Sequence, residues 1–375
     1  MSDSDDEAER TARLVEAWRA ADRTLTRSLR EPTLGELLAG LSDAPYDPDG
    51  PADVYGDGIV AELERRVAGL LGTQDAAFFP SGTMAQQIAL RCWAGRTGNP
   101  VVALHPMSHP ERWEGGALST VSGLRVVHPT TEPRQPTPEE VEAVGEPFGT
   151  LMLELPLRDA GFLLPGWEEL EALVGAARER EAVVHFDGAR LWESTVHFGR
   201  GLPEIAALAD SVYVSFYKSL AASAGRPWPV RGSSWRRPGS GATATAARSS
   251  GSSPRPCPRW PAGPAAAPAA AYVEQARRVA AGLHAGFEEA GLPWFRVHPE
   301  VPHTHQFQVW LPYGAERLTD AGLRQAEETG TVLFRRWSAD GPPGLAMTEV
   351  EVTEPGLSWT ETDVKDAVSA FVARL

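Results

Sequence analysis

Two apolar, β-branched runs, each ending in a polar residue, constrain the fold of this chain more than any other feature. The first reads Val-Val-His-Phe-Asp and ends at Asp187, and the second reads Val-Tyr-Val-Ser-Phe-Tyr-Lys and ends at Lys218. A helical stretch separates them, which is the pattern of a strand–helix–strand unit in a parallel sheet. Ligands bind at the carboxyl ends of the strands in such sheets. The pattern therefore predicts a carboxylate and a lysine at one sheet edge.

A lysine and a carboxylate in this arrangement point to pyridoxal 5′-phosphate (PLP). This cofactor needs a lysine for its Schiff base and a carboxylate for its pyridinium nitrogen. We therefore predict PLP as the cofactor, with Lys218 and Asp187 as its main partners. The two cysteines, Cys92 and Cys257, lie far apart and outside any metal-ligand spacing, so we expect neither a metal site nor a disulfide.

Composition restricts the classes of partner. The formal net charge of −15 argues against nucleic acid or an anionic membrane as the main partner. The sequence contains no apolar run near the roughly 20 residues that span a bilayer. Its first ten residues are acidic, unlike a secretory signal. We expect a cytoplasmic protein that acts on a small molecule.

Alternating strand and helix signals predict an α/β fold with a mostly parallel sheet. We expect an acidic tail and helix over 1–45, with the helix itself over 11–29. A large cofactor-binding α/β domain is expected over 46–270, and a smaller C-terminal α+β domain over 271–375. The chain length of 375 residues accommodates one large and one smaller domain.

The segment 225–270 interrupts this rhythm. It contains ten Ala, nine Pro and seven Arg, but no Asp, Glu, Lys, Leu, Ile, Phe, Met or Tyr. Such a composition buries little apolar surface and does not continue the strand–helix alternation. Two interpretations remain open, a basic disordered insertion and the shifted-frame translation of a GC-rich gene that later returns to frame.

A phosphate site is expected where a strand passes into a helix at Ser81, Gly82 and Thr83. Backbone N–H groups at a helix start bind anions, and small residues let the anion approach closely. The alternative for this tripeptide is an ordinary helix N-cap.

Two further candidates follow the predicted strands. His109 is placed to stack on a flat cofactor ring, and the alternative is a loop or core histidine. Arg190 follows Asp187 by three residues and is placed to bind a substrate carboxylate bidentately. The alternative for Arg190 is a surface ion pair.

Together these motifs resemble the threonine aldolase / β-eliminating lyase family of PLP-dependent enzymes, which has the aspartate-aminotransferase-like fold (PLP fold type I). The matching stretches are Asp53-Val-Tyr-Gly-Asp-Gly, Ser81-Gly-Thr-Met-Ala, Ser108-His109, His185-Phe-Asp-Gly-Ala-Arg-Leu-Trp192 and Ser215-Phe-Tyr-Lys218.

This resemblance implies a role for each candidate. Lys218 would form the internal aldimine, Asp187 would pair with the pyridine nitrogen and His109 would stack on the ring. Gly82 and Thr83 would bind the phosphate, and Arg190 would sit by the substrate carboxylate. A homodimer or homotetramer is implied too, with Tyr55 near the subunit interface.

The expected activity is aldol-type cleavage of the Cα–Cβ bond of a β-hydroxy amino acid. One departure bears on the substrate, because Leu157 stands where the aldolases carry a histidine near the substrate hydroxyl. β-Elimination on the same site is the alternative. A non-catalytic relative, impaired by 225–270, is a second alternative, and the Asp-Gly-Ala-Arg-Leu-Trp block disfavours a transaminase.

Overall fold

A computed structural model describes residues 3–26, 35, 50, 53–216, 218, 243–247 and 266–375 of the chain. The chain forms two compact units. One comprises Leu37–Ala266, and the other combines Met1–Glu36 with Ala267–Leu375. The first 36 residues thus group with the C-terminal segment, whereas the sequence predicts a separate N-terminal segment over 1–45.

The helices of the described residues, in chain order, are α1 (Asp3–Ala20), α2 (Ile59–Leu71), α3 (Gly82–Thr97), α4 (His109–Trp113), α5 (Ala117–Thr120), α6 (Pro138–Glu142), α7 (Trp167–Glu179), α8 (Leu191–Phe198), α9 (Leu202–Ala206), α10 (Ala266–Glu289), α11 (Ala315–Thr329) and α12 (Glu361–Val372). A 3₁₀ helix spans Glu354–Ser358.

The strands are β1 (Arg23–Thr24), β2 (Asp75–Phe79), β3 (Val101–Ala103), β4 (Arg125–Val127), β5 (Thr150–Glu154), β6 (Val183–Gly188), β7 (Ser211–Ser215), β8 (Thr243–Ala247), β9 (Arg296–His298), β10 (Gln306–Leu311), β11 (Thr331–Val332) and β12 (Ala346–Glu351).

A seven-stranded sheet in the order β2-β8-β7-β6-β5-β3-β4 forms the centre of the Leu37–Ala266 unit. The pairs β7–β6, β6–β5, β5–β3 and β3–β4 are parallel. Strand β8 is antiparallel to both β2 and β7, so β2 runs in the same direction as β7. The carboxyl ends of β2, β5, β6 and β7 therefore lie at the same edge of the sheet.

The two faces of this sheet are buried against different helices. Leu151, Leu153 and Phe186 belong to a core that also includes side chains of α2 and α7. Met152, the neighbour of both leucines, packs instead with Leu90 of α3. This alternation is the period of two that a strand imposes on its side chains, and burial on both faces is typical of a parallel sheet.

The α/β class and the mostly parallel sheet are confirmed, and two expectations about elements need correction. The helix expected over 11–29 ends at Ala20, because the chain then pairs β1 with β11. The segment 225–270 was not expected to supply a strand, yet β8 lies within it between β2 and β7. Residues 225–242 and 248–265 lie outside the described residues.

The unit of Met1–Glu36 and Ala267–Leu375 has a three-stranded antiparallel sheet, β12-β10-β9. Its core contains aromatic side chains of α10, α12 and the stretch after β11, namely Phe287, Phe371, Phe334 and Trp337. The α+β character expected for the C-terminal segment is observed here. Within the described ranges, no helix has both the length and the apolar composition required to cross a membrane.

Candidate active site

A row of three polar side chains marks the carboxyl ends of β5, β6 and β7. Glu154 lies opposite Asp187 in the β5–β6 register, and Asp187 lies opposite Tyr213 in the β6–β7 register. Residues opposite each other in register point to the same face of a sheet, here the face that carries α3. All three side chains are buried. The row places two carboxyl groups side by side away from solvent.

Asp187 is held at the centre of this row. Its Oδ1 accepts a hydrogen bond from the N–H of Ala189 at 3.1 Å. Burial raises the pKa of Asp187 above its usual range, while the positive charges of Lys218 and His109 oppose that rise. A carboxylate in this environment is stabilised by a cationic partner.

Lys218 lies close enough to this row for the charges to influence each other. The pKa of Lys218 is lowered to about 8, mainly by burial and then by the positive charge of Arg190, against the opposing charges of Asp187 and Glu154. The structure thus brings together the lysine and the carboxylate that the sequence predicts. A lysine with a lowered pKa has more of its amine in the neutral, nucleophilic form.

The candidate phosphate loop follows β2 at the same edge. The Ser81 side chain accepts a hydrogen bond from the N–H of Met84 at 3.3 Å, so its hydroxyl is a helix cap, as the alternative interpretation holds. Gly82 and Thr83 occupy the first two positions of α3, where backbone N–H groups have no acceptor within the helix. These two amides remain suited to bind an anion.

Gly82 is fixed by its contact with the row of side chains. A Cβ atom at this position would lie 2.2 Å from the Tyr213 Oη. Only glycine therefore allows the first turn of α3 to approach β7 this closely. The contact places the helix N-terminus beside Asp187, whose neighbour in register is Tyr213.

His109 begins α4 and is held from two sides. Its backbone N–H donates to the Glu154 Oε2 at 2.6 Å, and its Nδ1 lies 3.3 Å from the Glu114 Oε1. The Gln87 Nε2 donates to the other oxygen of Glu114 at 2.9 Å. Burial by itself lowers the pKa of His109, but the Glu114 hydrogen bond and the Asp187 charge raise it more, so that the net shift is upward.

Glu154 connects two loops to the sheet edge. Besides the N–H of His109, it accepts the N–H of Arg158 at 3.3 Å. Burial and the neighbouring charge of Asp187 raise the pKa of Glu154 to about 7. Glu154 was missed as a site residue in the sequence, although β5 ends at a polar residue just as β6 does.

Arg190 immediately precedes α8. Its guanidinium carbon lies 5.4 Å from the ring centroid of the buried Phe162. Its Nε is buried, and no residue in the described part of the chain accepts a hydrogen bond from it. This geometry fits an anion-binding arginine better than a surface ion pair.

A second group of buried polar side chains, also missed in the sequence, is centred on His185. The His185 Nδ1 lies 2.7 Å from the Ser211 Oγ, and its Nε2 lies 2.6 Å from the Gln86 Oε1. Burial lowers the pKa of His185 to about 4, so the ring is neutral near pH 7. The imidazole links β6 and β7 to the helix that carries the phosphate loop.

The fold and the site together define a class of protein. A mostly parallel α/β sheet that gathers a lysine, a carboxylate and a helix N-terminus at one edge is that of the fold type I PLP enzymes. Within this class, the chain belongs to the beta-eliminating lyase family, whose family model matches residues 48–344. The family expected from the motifs is thus confirmed.

Individual relatives agree with this assignment. A low-specificity L-threonine aldolase of Arabidopsis thaliana is 28% identical over 211 residues, which are 52% of this chain and 58% of the relative. The chain thus spans a little over half the length of that curated relative. A crystal structure of a putative L-allo-threonine aldolase from Listeria monocytogenes has 27% identity and a TM-score of 0.79, covering 98% of this chain and 100% of that one.

A more distant structure shows the fold alone. SPT with bound PLP matches at 16% identity and a TM-score of 0.58, covering 90% of this chain and 81% of that one. The same fold therefore carries PLP in that protein.

Proposed function

We propose that this protein is a PLP-dependent lyase that cleaves the Cα–Cβ bond of a β-hydroxy amino acid, releasing glycine and an aldehyde. The observation that carries the proposal is the meeting of Lys218, Asp187 and the N-terminus of α3 at one edge of the sheet. The aldolase and L-allo-threonine aldolase relatives support the choice of reaction.

The residues at this edge fit the cofactor. Lys218 would carry it through Nζ, and the N–H groups of Gly82 and Thr83 would bind its phosphate. Asp187 is a buried carboxylate with a raised pKa, and a protonated pyridine nitrogen would supply its cationic partner. Bound PLP supplies an electron sink for the negative charge that develops at Cα.

Arg190 would orient the substrate. Its buried Nε lacks an acceptor among the described residues, and a substrate carboxylate would provide one. Arginine binds carboxylates through two parallel hydrogen bonds, which fix orientation as well as position. The bond that breaks at Cα depends on this orientation, so Arg190 would help to select the reaction.

Cleavage of the Cα–Cβ bond also requires a base for the hydroxyl proton. Leu157 does not serve, because its side chain is apolar and buried. We assign the proton to His109, with Glu114 stabilising the imidazolium that forms. The 3.3 Å contact between these two side chains supports this assignment, because a base oriented by a carboxylate is a recurrent arrangement in general base catalysis.

A titration with PLP tests the cofactor, and a product assay tests the reaction. Wild-type protein should bind PLP and, after borohydride reduction, carry one added PLP mass on the peptide of Lys218, whereas Lys218→Ala should carry none. With β-hydroxy amino acids, the wild type should then release glycine and the matching aldehyde in equal amounts.

β-Elimination would give a different product. Serine with a good leaving group on Cβ would yield pyruvate and ammonia without glycine. Release of pyruvate from such substrates, together with no glycine from any β-hydroxy amino acid, would replace the aldol assignment with β-elimination. Failure to bind PLP at all would favour a non-catalytic relative.

We also propose a homodimer or homotetramer. Val54 and Tyr55 are 77% and 92% exposed, and the family resemblance implies that Tyr55 lies near the subunit interface. Light scattering on the purified protein should give two or four chain masses. The cytoplasmic location stays a prediction.

A further inference from the structure

The first turn of α4 receives a hydrogen-bond acceptor from another element. Ser108 holds the N-cap position with an extended backbone, φ −70° and ψ 154°, but its side chain makes no capping hydrogen bond. Its Oγ is buried and has no hydrogen-bond partner among the described residues. The Glu154 Oε2 instead accepts the first amide of the helix, the N–H of His109, at 2.6 Å. The acceptor at a helix start normally belongs to the N-cap residue itself, so a carboxylate from β5 takes over part of that role for α4.

Both side-chain oxygens of Glu154 face backbone donors. Besides the His109 amide at Oε2, the Oε1 accepts the N–H of Arg158 at 3.3 Å. The Glu154 carbonyl accepts the Gln135 Nε2 at 2.6 Å, which fixes the end of β5. An ionised carboxyl accepts through both of its oxygens, whereas a protonated one turns one oxygen into a donor. The two N–H donors therefore favour the carboxylate form, and protonation of Glu154 weakens at least one of these hydrogen bonds.

The imidazole of His109 has a separate anchor. Its Nδ1 lies 3.3 Å from the Glu114 Oε1, and the Gln87 Nε2 donates to Glu114 at 2.9 Å. Glu154 thus fixes the backbone at the start of α4, while Glu114 fixes the rotation of the ring. The side chain of His109 is 36% exposed, so part of it remains accessible.

The charge of Glu154 depends on what surrounds Asp187. The two carboxyl groups lie opposite each other in register, and both are buried. The other charged groups that act on this pair or on Lys218 come from α4 and from the loops after β5, β6 and β7, and they are His109, Glu114, Arg158, Arg190 and Lys218 itself. A second negative charge beside the first is costly, and a cation added at Asp187 lowers that cost. In the proposed function, this cation is a protonated pyridine nitrogen.

We propose that Glu154 is a positioning residue for His109, whose carboxylate caps α4 and whose hold on that helix tightens when a cation pairs with Asp187. This proposal rests on the proposed function, in which His109 takes the hydroxyl proton and PLP supplies the cation. The site thus fixes its base most firmly once the cofactor is bound. Glu154 touches neither substrate nor cofactor in this role and acts through the N–H of His109.

Hydrogen exchange at the His109 amide tests the cap without turnover. The pKa of Glu154 is raised to about 7, so the carboxylate forms as the pH rises through that value. In the cofactor-free wild type, the protection factor of this amide should rise with pH. At about pH 8 it should exceed that of Glu154→Gln at least about tenfold, the effect of one hydrogen bond to a charged group. Loading with PLP should move the rise to lower pH, and mass spectrometry of fragments of the α4 peptide measures both effects.

A capping glutamate elsewhere in the sheet domain is the matched control. The Glu169 Oε2 accepts the N–H of Gly166 at the start of α7 at 2.7 Å. This helix packs on the opposite face of the sheet from α3. Glu169→Gln should therefore leave the exchange of the His109 amide unchanged at every pH, with and without PLP.

Steady-state kinetics separate the position of the carboxylate from its charge. A misplaced base costs turnover more than substrate binding, so Glu154→Gln should lower kcat for glycine release roughly 10- to 100-fold and change KM less than about threefold. Glu154→Asp keeps a carboxylate beside Asp187, but its shorter side chain does not reach the His109 amide. It should lose kcat to a similar extent, whereas Glu169→Gln should keep it.

The outcomes separate this inference from the proposed function. Equal protection of the His109 amide in wild type and Glu154→Gln at about pH 8, or a rise that bound PLP does not move, would overturn the role of Glu154. A Glu154→Asp variant with the kcat of the wild type would overturn it too, because a charge alone would then suffice. The shift that PLP causes in the wild type needs no variant, so this test stands even where a variant does not fold.

If no β-hydroxy amino acid yields glycine, the proposed function fails. Protection of the His109 amide that depends on Glu154 and on bound PLP would still show the cap.

Discussion

Glu154 and Asp187 lie directly opposite each other on the neighbouring parallel strands β5 and β6, both buried. Two carboxylates this close cannot both ionise in a buried site without a large cost in free energy. The pKa of Glu154 is accordingly raised to about 7, by burial and by the charge of Asp187. The pair therefore carries less than two negative charges near neutral pH.

We expect Glu154→Gln to change how stability depends on pH. Below about pH 4.5, Glu154 is protonated in both the folded and the unfolded chain. As the pH rises to about 7, the unfolded chain ionises first, so the wild type loses folding free energy that the variant does not lose. Across that interval, the free energy of unfolding of the PLP-free variant should rise relative to that of the wild type by about 3 kcal/mol. Urea unfolding at each pH measures this difference.

A surface glutamate is the control for this comparison. The hydrogen bond from Arg134 lowers the pKa of Glu140 to about 2, so Glu140 stays ionised in the folded state from about pH 4.5 to 7. In the unfolded state it is already almost fully ionised above about pH 5.5. Glu140→Gln should therefore show no upward trend relative to the wild type between pH 5.5 and 7. A Glu154→Gln curve parallel to that of the wild type would contradict the buried pair.

Covalent capture of PLP should follow the pKa of Lys218. With a pKa of about 8, roughly one tenth of the amine is neutral at pH 7, against roughly one in 3,000 for an ordinary lysine. The rate of borohydride-trapped PLP incorporation should rise with pH and level off above about pH 8. Mass spectrometry of the Lys218 peptide at each pH gives this profile.

Removing a neighbouring positive charge should move that profile. The charge of Arg190 helps to lower the pKa of Lys218, after burial itself, so Arg190→Gln should shift the midpoint to higher pH. Arg65→Gln removes an exposed arginine of α2 and should leave the midpoint unchanged. Equal midpoints in all three proteins would show that Arg190 does not act on Lys218.

Gly82→Ala should weaken PLP binding. The new methyl group would lie 2.2 Å from the Tyr213 Oη, so the first turn of α3 must move away from β7 and take its phosphate-binding amides along. We expect the dissociation constant for PLP to rise at least about tenfold, the equivalent of one lost hydrogen bond to a charged group. Equilibrium titration with PLP measures this change.

Two variants isolate the cause. Gly95→Ala lies in the same helix with no atom within 4 Å of the added Cβ, so it should keep PLP affinity and stabilise the helix by up to about 1 kcal/mol. Adding Tyr213→Phe to Gly82→Ala removes the clashing oxygen and should recover part of the affinity. If the double variant binds no better than Gly82→Ala, the clash with Tyr213 is not the reason for the loss.

The strand ends of the site are predictable from sequence, whereas the contacts across the sheet are not. Asp187 and Lys218 end apolar runs, and the end of such a run is visible without any partner. The pairing of Glu154 with Asp187 depends on the register between two strands whose paired residues are 33 positions apart in the chain, and the pattern of neither strand specifies that register. Glu154 was therefore missed although its strand was located.

Tertiary contacts also override local pattern at two elements. Helical apolar spacing continues to Leu25, but the helix ends earlier, where β1 pairs with β11. Leu25 itself is fully buried in the core of the unit that combines Met1–Glu36 with Ala267–Leu375. Strand β8, Thr243–Ala247, consists of small residues that carry no apolar alternation, so its place between β2 and β7 comes from its neighbours rather than from its own propensity.

The buried series of hydrogen bonds from Trp93 to Gln86 has a single consistent direction of donation. The Trp93 Nε1–H donates to the Ser211 Oγ at 2.7 Å. Because His185 is neutral, with its pKa lowered to about 4 by burial, the Ser211 hydroxyl donates to Nδ1 and the Nε2–H donates to the Gln86 Oε1. Gln86 lies one turn beyond Gly82, so this series of hydrogen bonds fixes the position of α3, the helix that carries the phosphate loop.

We expect His185→Leu to lower both stability and PLP affinity. The variant leaves Ser211 and Gln86 without their buried partner, at a cost of roughly 1–3 kcal/mol for each group, and it releases α3 from β6. Trp93→Phe removes the outer donor and part of a buried ring, so it should also lower stability, by roughly 1–3 kcal/mol, but leave PLP affinity unchanged. Urea unfolding and PLP titration of both variants give the comparison, and equal losses of PLP affinity would mean that His185 supports the core without positioning the phosphate loop.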